Sequence, residues 1–532
     1  MSQQAGRYTA ATQSSVAKDW SLKRLTPPSR LFGANGMRVG PDGRVYVAQV
    51  VGSQISAIDV NTGAIEAISP MGGDIVAPDD LVFDPDGNLY ATEITEGRVC
   101  MRTPKGETRV IQGDMPVANP ITFYKGKVIA GECRIGARII ELDRNGGAPR
   151  VILENVPMPN AFDVGPDGKL YVPIMATNEI WRVNLDGGAP EVVAKDLGVP
   201  DSVKFDSEGF IVSTQVHSGQ VLRIDPRTGE KTVLANLNPG LDNVVFVGKR
   251  MFVSNMTGYV KEILADGKTK DLVPDGFTWP LGLAVDSEGL LYVADGAFSY
   301  LIQPGQPREV AGNFFTPNYP GYARGVAAAG AGEFIITTAL GAVARFWPRK
   351  QQSAVLASGF DQLYGVAIAP TGAVIFVEQG TGRVLTVGTS GNVETLATSL
   401  KKPSGVAIGA DGTCYVSESA GGRIVKVSGG RSDTFIDGLQ KPQGIAIRGE
   451  FLYIVDAGLK QLIEYNFTTK TRRAIASDLP VGAPPGVVPK FLGSIGTFSG
   501  PMGPFAGIAV GANGTLYVSG DAEGSVLAIS HA

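Results

Sequence analysis

The chain contains few charged residues, few cysteines and few histidines. Charged side chains make up 18% of its 532 residues, and 47 basic and 51 acidic residues give a formal net charge of −4. Because no basic excess or basic run is present, electrostatic binding to nucleic acid or to an anionic membrane is not expected. The apolar fraction of 43% is too high for a disordered chain. We therefore expect a folded protein that acts on a small molecule, and its oligomeric state is left open.

Cysteine and histidine usage restricts the possible metal and disulfide sites. The three cysteines are Cys100, Cys133 and Cys414. They lie far apart, which argues against a CxxC zinc site and against a disulfide framework. Two histidines are too few for a His-rich zinc site. The N-terminal segment lacks the apolar stretch of a secretory signal, and no long uncharged apolar run indicates a membrane span, so we predict a soluble cytoplasmic protein.

Glycine, in contrast, is abundant and marks an internal repeat. There are 70 glycines, about 13% of the chain and nearly twice the usual share of roughly 7%. Many fall in a recurring phrase, in which a D-G, E-G or N-G turn joins an apolar strand to a strand rich in tyrosine and valine. Examples are MRVGPDGRVYVAQ, FDVGPDGKLYVPI and VAIGADGTCYVSE. These turns need positive φ angles and are strong hairpin signals, and a third and usually a fourth strand follow each one.

The repeat period identifies the architecture. The residues that open the first strand of each unit are Asn35, Asp79, Asn119, Asn160, Asp201, Asp242, Leu281, Arg324, Tyr364, Ser404, Gln443 and Ala506. The intervals between them are 39 to 44 residues, except for a last interval of 63. A four-stranded unit of about 40–45 residues is typical of a β-propeller blade. We predict an all-β fold of twelve four-stranded blades, arranged as two six-bladed β-propellers.

The predicted domain order contains one open point. We predict a flexible N-terminal tail at residues 1–18, a first propeller at 19–276 and a second at 277–532. The segment DWSLKRLTP offers a strand before blade 1, whereas blade 12 has three obvious strands. If that strand completes blade 12, the two chain ends meet and the domains are not simply sequential. The long last interval contains a Pro/Gly-rich insertion near 475–504, predicted to be a rim loop, a lid or a strap.

The two halves differ in the residues that open the blades. In blades 1–6 these residues are all Asn or Asp, whereas in blades 7–12 they are Leu, Arg, Tyr, Ser, Gln and Ala. Because the first strand of each blade lines the channel, six oxygen-bearing side chains should converge at one mouth. Such a ring suits a divalent cation, Ca²⁺ first, with Mg²⁺ or Zn²⁺ as alternatives. Each residue alone has the simpler explanation that Asn and Asp cap turns at loop–strand junctions.

Further polar residues are expected on the same rim. The predicted ends of the second strands supply Glu93, Glu132, Gln215, His217 and Asn255. His217 is a candidate general acid or base, although a loop histidine is often only solvated. Asp201 and Asp242 are candidate bases, because crowded carboxylates can have raised pKa values. Asn35 and Glu132 are candidate substrate contacts. Acidic residues end second strands in the other half as well, which indicates in part a turn preference.

Three segments of the first half resemble a known family. VPDSVKFDSEGFIVSTQVHSGQVLRIDPRTGEKTVL resembles the calcium-binding segment of the gluconolactonase and regucalcin (senescence-marker-protein) family, and MPNAFDVGPDGKLYV and VANPITFYKG resemble its Asn segments. Members are six-bladed propellers with one divalent metal, and many hydrolyse lactones. The resemblance implies that Asn160 and Asp201 are metal ligands and that Asn119 contacts metal-bound water or substrate. Asp79 takes the place of the family's glutamate, without the Gly-Pro that follows it there.

The resemblance and the residues leave three functions open. The first is a metal-dependent hydrolase of a lactone or ester, with metal ligands Asp79, Asn160 and Asp201. The second is a metal-assisted lyase similar to virginiamycin B lyase, with His217 or a carboxylate removing a proton. The third is a non-catalytic double propeller that binds a protein or a ligand through its loops. The second half resembles NHL-type repeats, which are generic.

Overall fold

The computed structural model describes residue 7 and residues 13–313, 315–388, 391–496 and 498–532. In these ranges the fold is all-β, apart from one 3-10 turn at Pro348–Lys350. The strands form twelve blade sheets with antiparallel neighbours, as the repeat period predicts. Most of the predicted tail at 1–18 lies outside the described residues. Within the described part of the chain, no helix is long and apolar enough to span a membrane, and the cytoplasmic location stays a prediction.

The first propeller consists of blades 1–6, each built from four strands in chain order. The innermost strands are Met37–Val39, Pro78–Phe83, Ala118–Tyr124, Asp163–Val164, Pro200–Phe205 and Leu241–Val247. The second strands are Val45–Gln49, Leu89–Glu93, Lys127–Glu132, Leu170–Ile174, Ile211–Gln215 and Arg250–Asn255. The third strands are Gln54–Ile58, Arg98–Arg102, Ala137–Leu142, Glu179–Val183, Gln220–Ile224 and Val260–Ile263. The outer strands are Ile65–Ser69, Thr108–Gln112, Arg150–Val156, Glu191–Ala194, Lys231–Asn236 and Thr269–Val273.

The second propeller consists of blades 7–12, in which strands one to three follow the same order. The innermost strands are Pro280–Val285, Ala323–Gly330, Leu363–Ile368, Pro403–Ile408, Pro442–Arg448 and Ile508–Val510. The second strands are Leu291–Asp295, Glu333–Thr338, Val374–Glu378, Cys414–Glu418, Phe451–Asp456 and Leu516–Gly520. The third strands are Phe298–Ile302, Ala342–Trp347, Arg383–Val387, Arg423–Ser428, Gln461–Asn466 and Ser525–His531. The outer strands of blades 7–11 are Glu309–Asn313, Gln352–Ser358, Val393–Ala397, Arg431–Ile436 and Arg472–Ser477.

The N-terminal segment completes the second propeller. Trp20–Arg24 pairs antiparallel with Ser525–His531 and is the outer strand of blade 12. Ser15–Val16, within the predicted tail, pairs with the outer strand of blade 11 as a fifth strand. The chain therefore divides into two units: Leu31–Asp275 with Val487–Gly496, and the described parts of Met1–Arg30, Gly276–Gly486 and Thr497–Ala532. The first propeller therefore begins at Leu31 and not at residue 19 as predicted. The reason is that the strand Trp20–Arg24 pairs with Ser525–His531 of blade 12 and not with the blade that follows it in the chain.

The core of each propeller lies between adjacent blades. Second strands are buried on both faces, whereas outer strands are exposed at most of their positions. One cluster shows the pattern: Val82 and Tyr90 of blade 2 pack with Ile121, Val128 and other residues of blade 3. Innermost strands of blades 1 and 6 contact each other, as do those of blades 7 and 12, so each ring is closed. The three cysteines are buried free thiols.

The Pro/Gly-rich insertion begins at a fixed anchor in the second propeller. The Lys460 Nζ donates hydrogen bonds to the backbone oxygens of Val481, Gly482 and Ala483, at 2.7 Å and 2.6 Å for the last two. The Gly482 N–H donates to Asp521 Oδ1 at 2.8 Å. Further along, residues 487–496 belong to the compact unit of the first propeller. The start of the insertion is thus anchored to blades 11 and 12, and its form as a rim loop, a lid or a strap stays a prediction.

Candidate functional site

The residues that open blades 1–6 lie at interruptions of the innermost strands. In blade 5, Pro200 pairs with Gln215 and the ladder resumes at Val203, so Asp201 falls within a register shift. Blades 2, 3 and 6 have the same shift at Asp79, Asn119 and Asp242. A bulge of this kind re-aims side chains away from the ladder. In these four blades the opening residue therefore lies outside the regular ladder, and its position at the channel mouth stays a prediction.

Hydrogen bonds join opening residues of adjacent blades. The Asn160 Nδ2 donates to Asp201 Oδ2 at 3.0 Å, which links blades 4 and 5. The Asn35 Nδ2 donates to Asp242 Oδ2 at 3.1 Å, which links blades 1 and 6. Asn35 is half-buried, and the other five opening residues are buried. The structure therefore brings these four of the six predicted residues together in two pairs, and we call the six residues the oxygen ring.

The carboxylates of the ring hold protons strongly. Burial, followed by the charge of Asp80, raises the pKa of Asp79. Burial also raises the pKa of Asp201 well above its usual value, and Asp242, Asp79 and Asp80 add to this effect. The pKa of Asp242 is raised by burial and by Asp79, although the Asn35 amide opposes the shift. Three carboxyl groups thus share one poorly solvated region, and a cation there would favour their ionised forms.

One specific observation supports a divalent cation at the oxygen ring. Among the described residues, neither the Asp201 Oδ1 nor the Asn119 Oδ1 has a hydrogen-bond partner, although both are buried. Buried oxygens of this kind normally have a partner, and carboxylate and amide oxygens are the ligands that hard cations take. In the part of the chain that the structure describes, no three His, Cys, Asp or Glu side chains form a metal-binding cluster. A cation would therefore depend on the asparagine oxygens as well as on the carboxylates.

A sulfur-containing wall borders the ring. The Asn160 Nδ2 lies 3.2 Å from the Met175 Sδ, and the Cys133 Sγ lies 3.9 Å from the same sulfur. Burial, followed by the charges of Asp79, Asp201 and Asp242, raises the pKa of Cys133 well above its usual value. Cys133 therefore stays a thiol beside the ring. The sequence contained no signal for this contact, because Cys133 and Met175 follow second strands of different blades.

Glu132, predicted to contact substrate, is engaged within the protein. The side chain is fully buried. Its Oε2 accepts hydrogen bonds from Arg134 Nε at 3.0 Å and the Arg138 N–H at 3.1 Å, and its Oε1 accepts from Arg138 Nε at 2.8 Å. Glu93 has a similar pair with Arg98. These contacts explain the acidic ends of second strands as loop anchors, and the substrate role of Glu132 stays a prediction.

His217 lies at the rim, in the turn after the second strand of blade 5. Its side chain is exposed, and its backbone N–H donates to the Gly198 oxygen at 3.1 Å. The neighbours that act on the pKa of Asp201 are carboxylates and not His217. A catalytic role for His217 stays a prediction, and the candidate bases Asp201 and Asp242 are the residues that lie within the ring.

A layer of charged residues lies three positions after the opening residues. The Arg38 Nη1 lies 3.5 Å from Asp163 Oδ2, and the Lys204 Nζ lies 3.2 Å from the same oxygen. The Thr122 Oγ1 donates to Asp163 Oδ1 at 3.0 Å. Although burial raises the pKa of Asp163, the charges of Lys204 and Arg38 lower it below its usual value. We call Arg38, Thr122, Asp163 and Lys204 the charged layer. Their common spacing from the ring was the signal that sequence reasoning missed.

Part of the first propeller matches a known family. The SMP-30/gluconolactonase/LRE-like region model matches residues 122–257, from the innermost strand of blade 3 to blade 6. This match confirms the resemblance of the first half, and the NHL-type resemblance of the second half stays a prediction. No curated protein matches the chain.

Several solved structures are similar to about half of the chain. Virginiamycin B lyase from Staphylococcus aureus, solved with quinupristin, is 18% identical over 52% of this chain and 96% of its own, with a TM-score of 0.38. A gluconolactonase from Xanthomonas campestris is 15% identical over 45% of this chain and 88% of its own, also at 0.38. A chain of a nidogen/laminin complex is 18% identical over 41% of this chain and 89% of its own, at 0.34.

Proposed function

We propose that the first propeller is a metal-dependent hydrolase of a lactone or ester, with its site at the oxygen ring. The observation that carries the proposal is the pair of buried, unpartnered oxygens, Asp201 Oδ1 and Asn119 Oδ1, within the described residues. Such atoms are costly to bury unless a ligand or ion completes them. The family match over residues 122–257 supports the lactonase class.

Asp79, Asn160 and Asp201 would hold the cation, with Asn119 directed to water or substrate. Ca²⁺ suits this set best, because it accepts carboxylate and amide oxygens in flexible geometry. When bound, a divalent cation supplies Lewis-acid polarisation of the substrate carbonyl. The hydrogen bond from Asn160 Nδ2 to Asp201 Oδ2 leaves the other oxygen of Asp201 available. Asn160 therefore orients Asp201 as well as contributing an oxygen of its own.

Asp242 is a ring carboxylate outside the proposed metal ligands, and its surroundings favour a bound proton. Its Oδ2 accepts a hydrogen bond from Asn35 at 3.1 Å, which orients the carboxyl group. Burial and the charge of Asp79 raise its pKa, so its proton affinity is high for a carboxyl group. A base of this kind accepts a proton from an attacking water more readily than an exposed aspartate does. We assign Asp242 this role in the proposed hydrolysis.

The test is the Asp201→Asn variant, which keeps the shape of the side chain and removes its charge. We expect loss of a stoichiometric divalent ion in dialysis measurements and a fall in lactone hydrolysis of at least about 100-fold, as for loss of an essential charged contact. The matched control is Asp266→Asn, an exposed turn residue of blade 6. Equal Ca²⁺ binding and equal activity in wild type and Asp201→Asn would refute the proposal.

Product mass separates the remaining functions. Hydrolysis adds water to the substrate, whereas the elimination expected of a lyase does not. A chelator should abolish either reaction. Absence of a bound ion at millimolar Ca²⁺ and Mg²⁺, together with no turnover of a lactone and ester panel, would favour the non-catalytic double propeller instead.

A further inference from the structure

Arg324, the opening residue of blade 8, is a buried cation for which no ion-pair partner is found among the described residues. Its side chain is 1% exposed. The Nη1 lies 3.5 Å from the Ala323 oxygen, and the Nη2 has no hydrogen-bond partner among the described residues. Guanidinium groups are almost never buried unpaired, because desolvation of a single charge costs several kcal/mol. The contacts of Arg324 are therefore incomplete within the protein.

The groups around Arg324 are phenols, which do not neutralise it. The neighbours that act on its pKa are Tyr364, Tyr322 and Tyr319. Burial raises the pKa of Tyr364 and of Tyr319 to about 12, so both hydroxyls stay protonated near neutral pH. A neutral hydroxyl can donate or accept a hydrogen bond, but it cannot balance a positive charge. An external anion is the group that would complete the contacts.

A small recess lies on the channel axis, against the backbone of Gly325, the residue that follows Arg324. In every blade of the second propeller the residue after the opening residue is glycine, and these six line the recess: Gly282, Gly325, Gly365, Gly405, Gly444 and Gly507. A Cβ on Gly325 would lie 2.1 Å from the Tyr364 oxygen, and one on Gly282 would lie 2.3 Å from the Arg324 oxygen. We call this set the glycine ring. Its tight backbone contacts leave room for a small ligand only.

The end of the insertion forms one wall of the recess. Phe505 lines it, and its ring centroid lies 5.7 Å from that of Tyr364. The Ala506 N–H donates to Gln443 Oε1 at 2.7 Å, which fixes the chain beside Phe505. A backbone hydrogen bond from Gly503 also acts on Tyr364. The recess therefore has an aromatic wall at Phe505. Arg324 and Tyr364 each precede one of its glycines in the chain, and their side chains are not among its described lining residues.

We propose that Arg324 anchors a binding site for a small organic carboxylate at the channel mouth of the second propeller. Guanidinium pairs with carboxylate through two parallel N–H bonds, and Nη2 is available for one of them. A single arginine balances one negative charge, which favours a monocarboxylate over a phosphate dianion. Phe505 provides apolar contact for a short alkyl chain. The site does not depend on the hydrolase proposed for the first propeller.

The test compares wild type, Arg324→Met and the control Arg431→Met by isothermal titration calorimetry. Arg431 is an exposed arginine of the same propeller. The probes are acetate, propionate, butyrate and inorganic phosphate at constant ionic strength. We expect a carboxylate to bind wild type and Arg431→Met alike, and Arg324→Met at least about 100-fold more weakly, as for loss of a charged hydrogen-bond pair. Phosphate should bind more weakly than the carboxylates.

Two further measurements make the test independent of how the variant folds. In wild type, the bound carboxylate should slow amide exchange in Ala323–Gly330, the strand that carries Arg324. Without ligand, Arg324→Met should melt at or above the wild-type temperature, since it removes an unpaired buried charge. No binding of any probe at 20 mM or so, equal binding in Arg324→Met, tighter binding of phosphate, or binding without protection of this strand would each overturn the proposal.

Discussion

Blades 4 and 10 hold the same place in their propellers, yet their innermost strands give the two channels different chemistry. Blade 4 begins Asn160, Ala161, Phe162 and Asp163, whereas blade 10 begins Ser404, Gly405, Val406 and Ala407. The second strands that follow are alike, and both are fully buried. The repeated sequence pattern therefore determines the fold of each blade, and a few positions facing the channel determine what each propeller can bind.

The difference extends around both rings. Three positions after the opening residue, the second propeller has alanine in all six blades: Ala284, Ala327, Ala367, Ala407, Ala446 and Ala509. The first propeller has there Arg38, Val82, Thr122, Asp163, Lys204 and Val245. Small side chains let the second propeller close tightly on its axis, as the glycine ring shows. The first propeller instead keeps its axis polar, with the charged layer next to the oxygen ring.

Among the substitutions that test this comparison, Asp163→Asn should cause the largest loss of stability. It removes the carboxylate that lies within 3.5 Å of both Arg38 and Lys204, and leaves Arg38 only the more distant Asp80 carboxylate at 3.9 Å. Breaking a buried ion pair costs about 3–5 kcal/mol, and we expect about 3 kcal/mol because the Asp163 side chain is 25% exposed. Urea unfolding gives the loss, and hydrogen exchange should locate it in the first propeller.

The control for Asp163→Asn is Asp167→Asn, an exposed turn residue of the same blade, which should cost less than about 0.5 kcal/mol. If the two substitutions cost the same, the charged layer is not important for the stability of the first propeller. A loss of protection in blades 7–12 and not in blades 1–6 would also contradict the comparison.

Gly405→Ala should have an intermediate effect, confined to the second propeller. An added Cβ would lie 2.3 Å from the Gln443 oxygen of the next blade, so the backbones must move apart. Overpacking of this kind typically costs about 1–3 kcal/mol, and we expect about 2 kcal/mol in urea unfolding. The corresponding residue of blade 4 is already alanine, Ala161, which indicates that the first propeller leaves this space open.

Gly330→Ala is the matched control for Gly405→Ala. It lies in the same propeller, and an added Cβ would meet no atom closer than 3.9 Å, in the Glu333 side chain. We expect no loss of stability there, because Ala also reduces the freedom of the unfolded chain. Equal losses at both positions would show a general cost of replacing glycine in strands and would remove the glycine ring as a distinguishing feature.

The sequence predicted the blades and the ring of opening residues because both depend on local, repeated patterns. The hairpin turns and the interval of 39 to 44 residues identify each blade without any long-range information. The bonds from Asn160 to Asp201 and from Asn35 to Asp242 then follow from the closed arrangement of blades. For both hydrogen bonds, the position of the opening residue in one blade predicts the position of the corresponding residue in the adjacent blade.

Features that depend on distant partners were not predictable in this way. Arg38 and Asp163 are 125 residues apart in the chain, and although both stand three positions after an opening residue, this spacing alone does not show that they pair. Glu132 resembled a site residue because its arginine partners lie in the following turn and strand, where arginine has many roles. The strand Trp20–Arg24 was expected as one way to complete blade 12, and the structure confirms this alternative by its pairing with Ser525–His531. Long-range pairing is decided by packing, and a single sequence does not display it.

The smallest expected effect on stability is that of the residue whose side chain anchors the loop before the innermost strand. In blade 7 the Asp295 carboxylate accepts hydrogen bonds from the Thr278 and Trp279 N–H groups at 3.0 Å and 2.5 Å. In blade 1 the neutral Gln49 Oε1 accepts from the Phe32 N–H at 2.9 Å. Burial raises the pKa of Asp295 to about 6, against about 3.9 in an unfolded chain.

Because its folded-state pKa is the higher one, Asp295 stabilises the second propeller most below about pH 4, and this contribution is lost as the pH rises to about 6. Two pK units would correspond to about 2.7 kcal/mol, and we expect about 1 kcal/mol because the loop can relax. Urea unfolding between pH 4 and pH 7 should show a weaker pH dependence for Asp295→Asn than for wild type or for the exposed control Asp411→Asn. Identical slopes for all three would mean that the charge of Asp295 is as well accommodated as the neutral amide of Gln49, and the two loop anchors would then be equivalent.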